Sequence, residues 1–184
     1  MPKVLVLFHS QTGHTAALAD RIADGARSVR FTEVDVRRLE ALSPAPALAP
    51  DAASAAAASA AAALPQRYRA LDDVRTVTDY DALVLGSPTR HGVLATELAL
   101  FLERLAPLVA EGALRDVVGS AFTPASPGGA DLTLWSILAP LADLGLILVP
   151  PAAEPHDQGA RVATVAEWVR HAKSHAAGHH HHHH

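Results

Sequence analysis

Short, unbroken apolar runs alternate along the chain with longer segments whose apolar positions recur every three or four residues, the pattern of strands joined by amphipathic helices. Val4-Leu5-Val6-Leu7-Phe8 contains no polar residue, as expected of a strand covered on both faces in a parallel sheet. The pattern predicts further strands over Phe31 to Val36, Ala82 to Gly86, Val117 to Thr123 and Leu146 to Val149. Between them it predicts helices over Thr15 to Ala26, Ala95 to Ala110, Leu132 to Leu144 and Arg161 to His171. The first would carry Leu18, Ile22 and Ala26 on one face and stop near Gly25. Five strands with helical crossovers imply an α/β fold, a doubly wound five-stranded parallel sheet with helices on both faces and strand order 2-1-3-4-5.

One connection breaks the rhythm. From Arg38 to Tyr80 the chain spends 43 residues between the second and third strands, well beyond an ordinary crossover. Within it, residues 43–64 include 13 alanines. Pro44, Pro46 and Pro50 interrupt the first part; Asp51 is placed to cap a helix and Pro65 to end it. The stretch has few large apolar residues, so it reads as a low-complexity excursion dispensable for the core, with a lid or an oligomer contact as the alternatives.

Composition narrows the function. Residues 1–177 suit a single domain, and residues 178–184, a glycine and six histidines, read as a purification tag. No stretch reaches the ~18 consecutive apolar residues of a membrane span, and Met1-Pro2-Lys3 runs into the first strand without a cleavage site, so no membrane association and a cytoplasmic location are expected. With no cysteine there is no disulfide, thiolate metal site or cysteine nucleophile, and redox chemistry would need a borrowed cofactor. The 15 basic and 19 acidic residues are spread along the chain, which argues against nucleic acid as a partner. No metal site is expected: His171 and His175 have ligand spacing, but no carboxylate follows. Trp135 and Trp168 lie among apolar helical neighbours and read as core residues, with ligand stacking the alternative for Trp135.

The richest chemistry follows the first strand: His9-Ser10-Gln11-Thr12-Gly13-His14-Thr15, opening a helix. Small and hydroxylic residues around one glycine let successive N–H groups face a single point, and the helix start adds partial positive charge. No G-x-x-x-x-G-K-[ST] and no G-x-G-x-x-G follows a strand, so a monophosphate fits better than a triphosphate or a dinucleotide. The plainer alternative is a helix start capped by Ser10 or Thr12. With order 2-1-3-4-5, the loops after the third and fourth strands meet this turn, placing Pro88 to Val93 and Thr123 to Gly129 around a flat ring. Pro88 fixes the backbone, Gly92 permits an unusual φ, and Gly128-Gly129 allows close approach. Arg90 offers donors to a ring edge, and His91 a group that titrates near neutrality.

Val4 to Thr15 resembles the phosphate-loop fingerprint of the flavodoxin-like family, S/T-x-T-G-x-T. Asp79-Tyr80-Asp81 through Gly86-Ser87-Pro88-Thr89-Arg90-His91-Gly92 resembles the D-Y-D…G-[ST]-P-T-R-[FY]-G segment of the WrbA-type NAD(P)H:quinone oxidoreductases, and Ala121 to Gly129 is similar to their third loop. The likeness spans Lys3 to Pro150. It implies FMN as cofactor, NAD(P)H as electron donor, a quinone or similar flat acceptor, and a homo-oligomer, dimer or tetramer. The cofactor-binding residues would be Ser10, Gln11, Thr12, Gly13, His14 and Thr15 at the phosphate; Pro88, Thr89, Arg90, His91, Gly92 and Val93 at the ring; and Thr123, Pro124, Ala125, Ser126, Gly128 and Gly129 opposite. Arg90 and His91 are the catalytic candidates.

The chain departs from that subfamily in four places. His91 replaces Phe or Tyr; Leu108-Val109-Ala110 lies where a Trp is usual; Ala142-Asp143-Leu144-Gly145 replaces Ala-His-His-Gly; and Pro151 to Asp157 replaces a Gly-rich loop with P-Y-G. These leave open a flavodoxin-like scaffold without redox activity that binds another flat ligand or a protein partner. A one-electron carrier would need an acidic docking face that this charge balance does not suggest.

Overall fold

The structure, a computed structural model, describes residues 1–42, 52–125 and 129–178. The elements run β1 (Lys3–Phe8), α1 (His14–Arg27), β2 (Glu33–Arg38), α2 (Ala52–Arg67), a 3-10 helix (Val74–Asp79), β3 (Ala82–Gly86), α3 (Thr96–Arg104), α4 (Ala106–Ala110), β4 (Val118–Phe122), α5 (Ala130–Asp143), β5 (Ile147–Leu148) and α6 (Pro155–Gly178). Every strand pair is parallel and the order is β2-β1-β3-β4-β5, as the pattern predicts. Side chains alternate between two cores, as the pleat requires. Val4, Val6, Phe8, Val84 and Val118 pack with α1 and α6; Leu5, Leu7, Leu83, Leu85 and Ala121 pack with α3 and α5.

Several boundaries differ from the sequence reading for local reasons. The predicted helix over Ala95 to Ala110 is two helices, separated at Leu105 just before Pro107, which has no N–H to give. Helix α6 starts at Pro155, well ahead of Arg161, with proline in the first turn where its missing donor costs nothing. Gly25 does not stop α1, which runs on to Arg27. Instead it lets the backbone of His156 approach, and Gly159 does the same toward the carbonyl of Ile22, so α1 and α6 pack backbone to backbone. Neither tryptophan is in the core: Trp135 is 65% exposed and Trp168 57%, the latter under the Arg161 guanidinium at 5.1 Å.

The alanine-rich segment has an anchored end. The expected breaks at Pro44, Pro46 and Pro50 and the Asp51 cap lie outside the described residues, but α2 continues past Pro65 to Arg67. Leu64 and Tyr68 are buried, and the Tyr68 ring meets Phe8 edge-on at 5.0 Å. The Arg38 Nε donates to the Tyr68 carbonyl at 3.0 Å, tying this end to the edge strand β2. Ahead of this anchored end the alanines are exposed or half-buried, with Ala60 near Gly13 of the first turn, and Leu64 belongs to the core.

Both tyrosines of the chain donate to carboxylates: Tyr68 to Asp20 at 2.7 Å and Tyr80 to Asp35 at 2.6 Å. Burial, then the hydrogen bond to the carboxylate, pushes each phenol up to about 12. Because the folded pKa is raised, the stability this adds is complete below the ordinary value of 10.0 and is lost as pH rises toward about 12. A spectrophotometric titration of the folded protein should show no phenolate at pH 10.0. A tyrosine ionising there would contradict these bonds.

Candidate cofactor site

The strand order sets the carboxyl ends of β1, β3 and β4 side by side, so the loops leaving them form one edge. After β1, the His9 N–H donates to the Gly86 carbonyl at 3.1 Å and holds the chain in line before it turns. The turn closes on itself through Gly13 N–H to Ser10 Oγ at 3.1 Å. Gly13 has φ 90°, where a side chain would be strained, and a Cβ there would stand 3.1 Å from the Cβ of Ala60 on α2. Helix α1 then begins without a side-chain cap, so the plainer reading of Ser10 or Thr12 as an N-cap does not hold. The first backbone bond into the helix is Ala17 N–H to the Gly13 carbonyl, 3.0 Å. Among the described residues, no protein acceptor takes the N–H of Gln11, Thr12, His14, Thr15 or Ala16. Thr15 is buried at the base of this cradle, and Thr12 is exposed at its rim, 3.2 Å from His14 Nδ1. Free donors, hydroxyls and a helix start around one point suit a phosphate.

After β3, buried Ser87 staples the two ends of the next loop, accepting from the Ala95 N–H at 2.7 Å and donating to the Pro88 carbonyl at 2.8 Å. Between them Arg90 and Val93 exchange backbone hydrogen bonds of 2.8 and 3.0 Å around His91 (φ 51°) and Gly92 (φ 81°). Two successive positive φ values make a type I′ turn, with His91 exposed at its tip. The loop after β4 packs against this one. Thr133 Oγ1 donates to Thr89 Oγ1 at 2.8 Å, Thr89 and Thr123 hydroxyls are 3.4 Å apart, and a Cβ on Gly129 would come within 2.8 Å of the Thr89 methyl. Thr123, Pro124 and Ala125 lead away from β4; Ser126 and Gly128 lie outside the described residues.

The Arg90 guanidinium is held from below. Its Nη1 reaches Glu97 Oε2 and its Nη2 reaches His9 Nε2, both at 3.3 Å, while Glu97 Oε1 lies 3.6 Å from the same imidazole nitrogen. His9 and Glu97 are almost wholly buried. Burial pushes the His9 pKa below its ordinary 6.5, with Glu97 opposing and Arg90 reinforcing, so the ring is neutral at pH 7. Sequence reading missed both roles. Glu97 carried a signal: it shares the apolar face of α3 with Leu98 and Phe101, where a carboxylate needs a partner. His9 carried none beyond preceding the turn.

The departing positions take structural places. Leu108 is buried, and residues 149–154 turn toward α1, where Glu154 pairs with Arg21 at 2.9 Å. His171 and His175 approach to 3.1 Å between Nε2 atoms, but no group of three potential metal ligands occurs among the described residues.

A five-stranded parallel sheet of this order, with an open turn after β1 and a stapled turn after β3, is a flavodoxin-like fold. Solved structures agree on the fold: a WrbA-like flavodoxin from Agrobacterium tumefaciens superposes with TM-score 0.59 at 19% identity, covering 93% of this chain and 99% of that one. Oxidised flavodoxin 2 from Bacillus cereus gives 0.57 at 16% identity, covering 91% and 99%. No family model matches the chain. Curated relatives do: NAD(P)H dehydrogenase (quinone) of Rhodopseudomonas palustris strain BisB5 is 39% identical over 151 residues, 81% of this chain and 70% of that protein. The protein of the same name from Nitrobacter winogradskyi is 40% identical over 152 residues, with the same coverage. The chain belongs to this NAD(P)H dehydrogenase (quinone) family.

Proposed function

We propose that this chain is an FMN-dependent oxidoreductase that carries electrons from NAD(P)H to a quinone or similar flat acceptor. The observation that carries the reading is the turn from Ser10 to Thr15, whose unspent N–H groups and hydroxyls adjoin the Pro88–Val93 loop in a chain of this family. FMN, when bound, supplies the two-electron chemistry for which the side chains of this cysteine-free chain have no group. The protein contributes the rest. Ser10 to Thr15 hold the phosphate, Pro88 to Val93 and Thr123 to Gly129 flank the ring, and His91 and Arg90 stand at its edge as the side chains able to donate protons or hydrogen bonds there. A homo-oligomer, dimer or tetramer, belongs to the same reading, and Leu132 and Trp135, exposed on α5, support an interface there. No helix among the described residues is long and apolar enough to cross a membrane.

The reaction tests the proposal. Protein reconstituted with FMN should lose its flavin colour under anaerobic NADPH or NADH and regain it on addition of a benzoquinone. A flavin that stays oxidised with both nucleotides would favour the non-redox scaffold.

A further inference from the structure

His9, Arg90 and Glu97 come from the end of β1, the turn after β3 and the first turn of α3, and meet as one buried cluster. Removing a carboxylate from water costs several kcal/mol, so the cluster must hold its partners closely. One Glu97 oxygen is engaged by Arg90 and the other lies 3.6 Å from His9 Nε2, leaving the Arg90 side chain 29% exposed at the edge of the crevice. Arg90 also opens the type I′ turn through its reciprocal bonds to Val93. Fixing the guanidinium therefore fixes the residue from which His91 and Gly92 project. An arginine left free would lose rotamer entropy on meeting a ligand; in this cluster its guanidinium is already held at two nitrogens.

We propose that Glu97 and His9 are positioning residues: through Arg90 they hold the Arg90–Val93 turn in the orientation in which it meets the ring of the bound cofactor. This rests on the flavin reading above. Neutral His9 accepts from Arg90 at Nε2; protonated His9 would face Arg90 as a second cation and lose that acceptor. The other groups facing it are Glu97 on α3 and the Leu39 carbonyl, while Arg38 and Glu40 at the end of β2 pair with each other at 3.2 Å across the neighbouring cavity. The cluster thus works with His9 neutral, and acid loosens it.

The test compares ring and phosphate binding by apoprotein, with FMN, riboflavin and inorganic phosphate as probes. Glu97→Ala should weaken riboflavin and FMN by the same factor, ~10 or more, leave the inhibition constant of phosphate against FMN unchanged, and be largely rescued by Glu97→Gln, whose amide oxygen still accepts from Arg90. In the wild type, riboflavin affinity should fall in acid as pH drops through the lowered His9 pKa, and His9→Gln should flatten that fall. Unchanged riboflavin binding in Glu97→Ala overturns the proposal alone, as does a loss shared equally by phosphate. Wild-type protein that binds phosphate but neither flavin overturns the flavin reading and this proposal with it. Should Glu97→Ala not fold, the wild-type Arg90 Nε–Hε resonance decides: it must shift with riboflavin and stay put with phosphate, and a resonance unmoved by riboflavin refutes the proposal.

Discussion

Replacing Thr12 and Thr15 together by valine is expected to weaken FMN binding by ~2 to 4 kcal/mol, a factor of about thirty to a thousand. Thr15 is buried at the base of the turn and Thr12 is exposed at its rim, so the two hydroxyls lie at different depths of the turn. Valine keeps the shape and removes only the donors, and a hydrogen bond to a charged group is worth more than a neutral one. Binding should survive in weakened form, because the unspent N–H groups of Gln11, Thr12, His14, Thr15 and Ala16 remain. Titration of folded apoprotein with FMN measures the loss. Unchanged affinity in a folded double variant would remove the turn as the phosphate anchor.

The largest effect on stability is expected where α1 meets α6. Gly25→Ala would set a methyl against the backbone of His156, and Gly159→Ala one against the carbonyl of Ile22. Backbone atoms cannot rotate aside as a side chain does, so the helices must separate along a face that holds Ile22, Ala26, Val162 and Ala166 in the core. Alanine recovers ~1 kcal/mol of helix propensity over glycine. Overpacking of this kind should exceed that gain, for a net loss of about 3 kcal/mol and a fall in Tm of roughly 6 to 12 °C in a domain of this size. Thermal unfolding of the two variants checks it. An alanine variant as stable as the wild type would mean that the helices are not in backbone contact.

The same glycines show why parts of this fold were legible in sequence and parts were not. An unbroken run such as Val4 to Phe8 has one stable use, between two helical layers, and the strand is found there with both faces covered. A glycine near the end of a helical pattern has two uses, a stop or a close approach, and only the partner helix decides. Helix α5 carries Leu132, Leu134, Trp135, Ile137, Leu138 and Leu141, apolar around much of its circumference, so the pattern did not say which side the sheet would take. The sheet took Ile137, Leu138 and Leu141 and left Trp135 outside. At the site, the turn proposed to take the phosphate stands out in sequence because its candidate groups lie in one contiguous stretch. Gly92 was foreseen at positive φ, whereas His91 was not, although the pair before Val93 fits an X-Gly hairpin turn. The His9–Arg90–Glu97 cluster joins three distant segments; only the carboxylate on an apolar helix face hinted at it.

The most direct test is a paired titration of apoprotein with FMN and riboflavin, which differ only in the phosphate. If the turn after β1 holds that phosphate, FMN should bind at one per chain and riboflavin at least ~30-fold more weakly, the margin of about two charge-assisted hydrogen bonds. Equal affinity for the two, or no binding of FMN, would contradict the account.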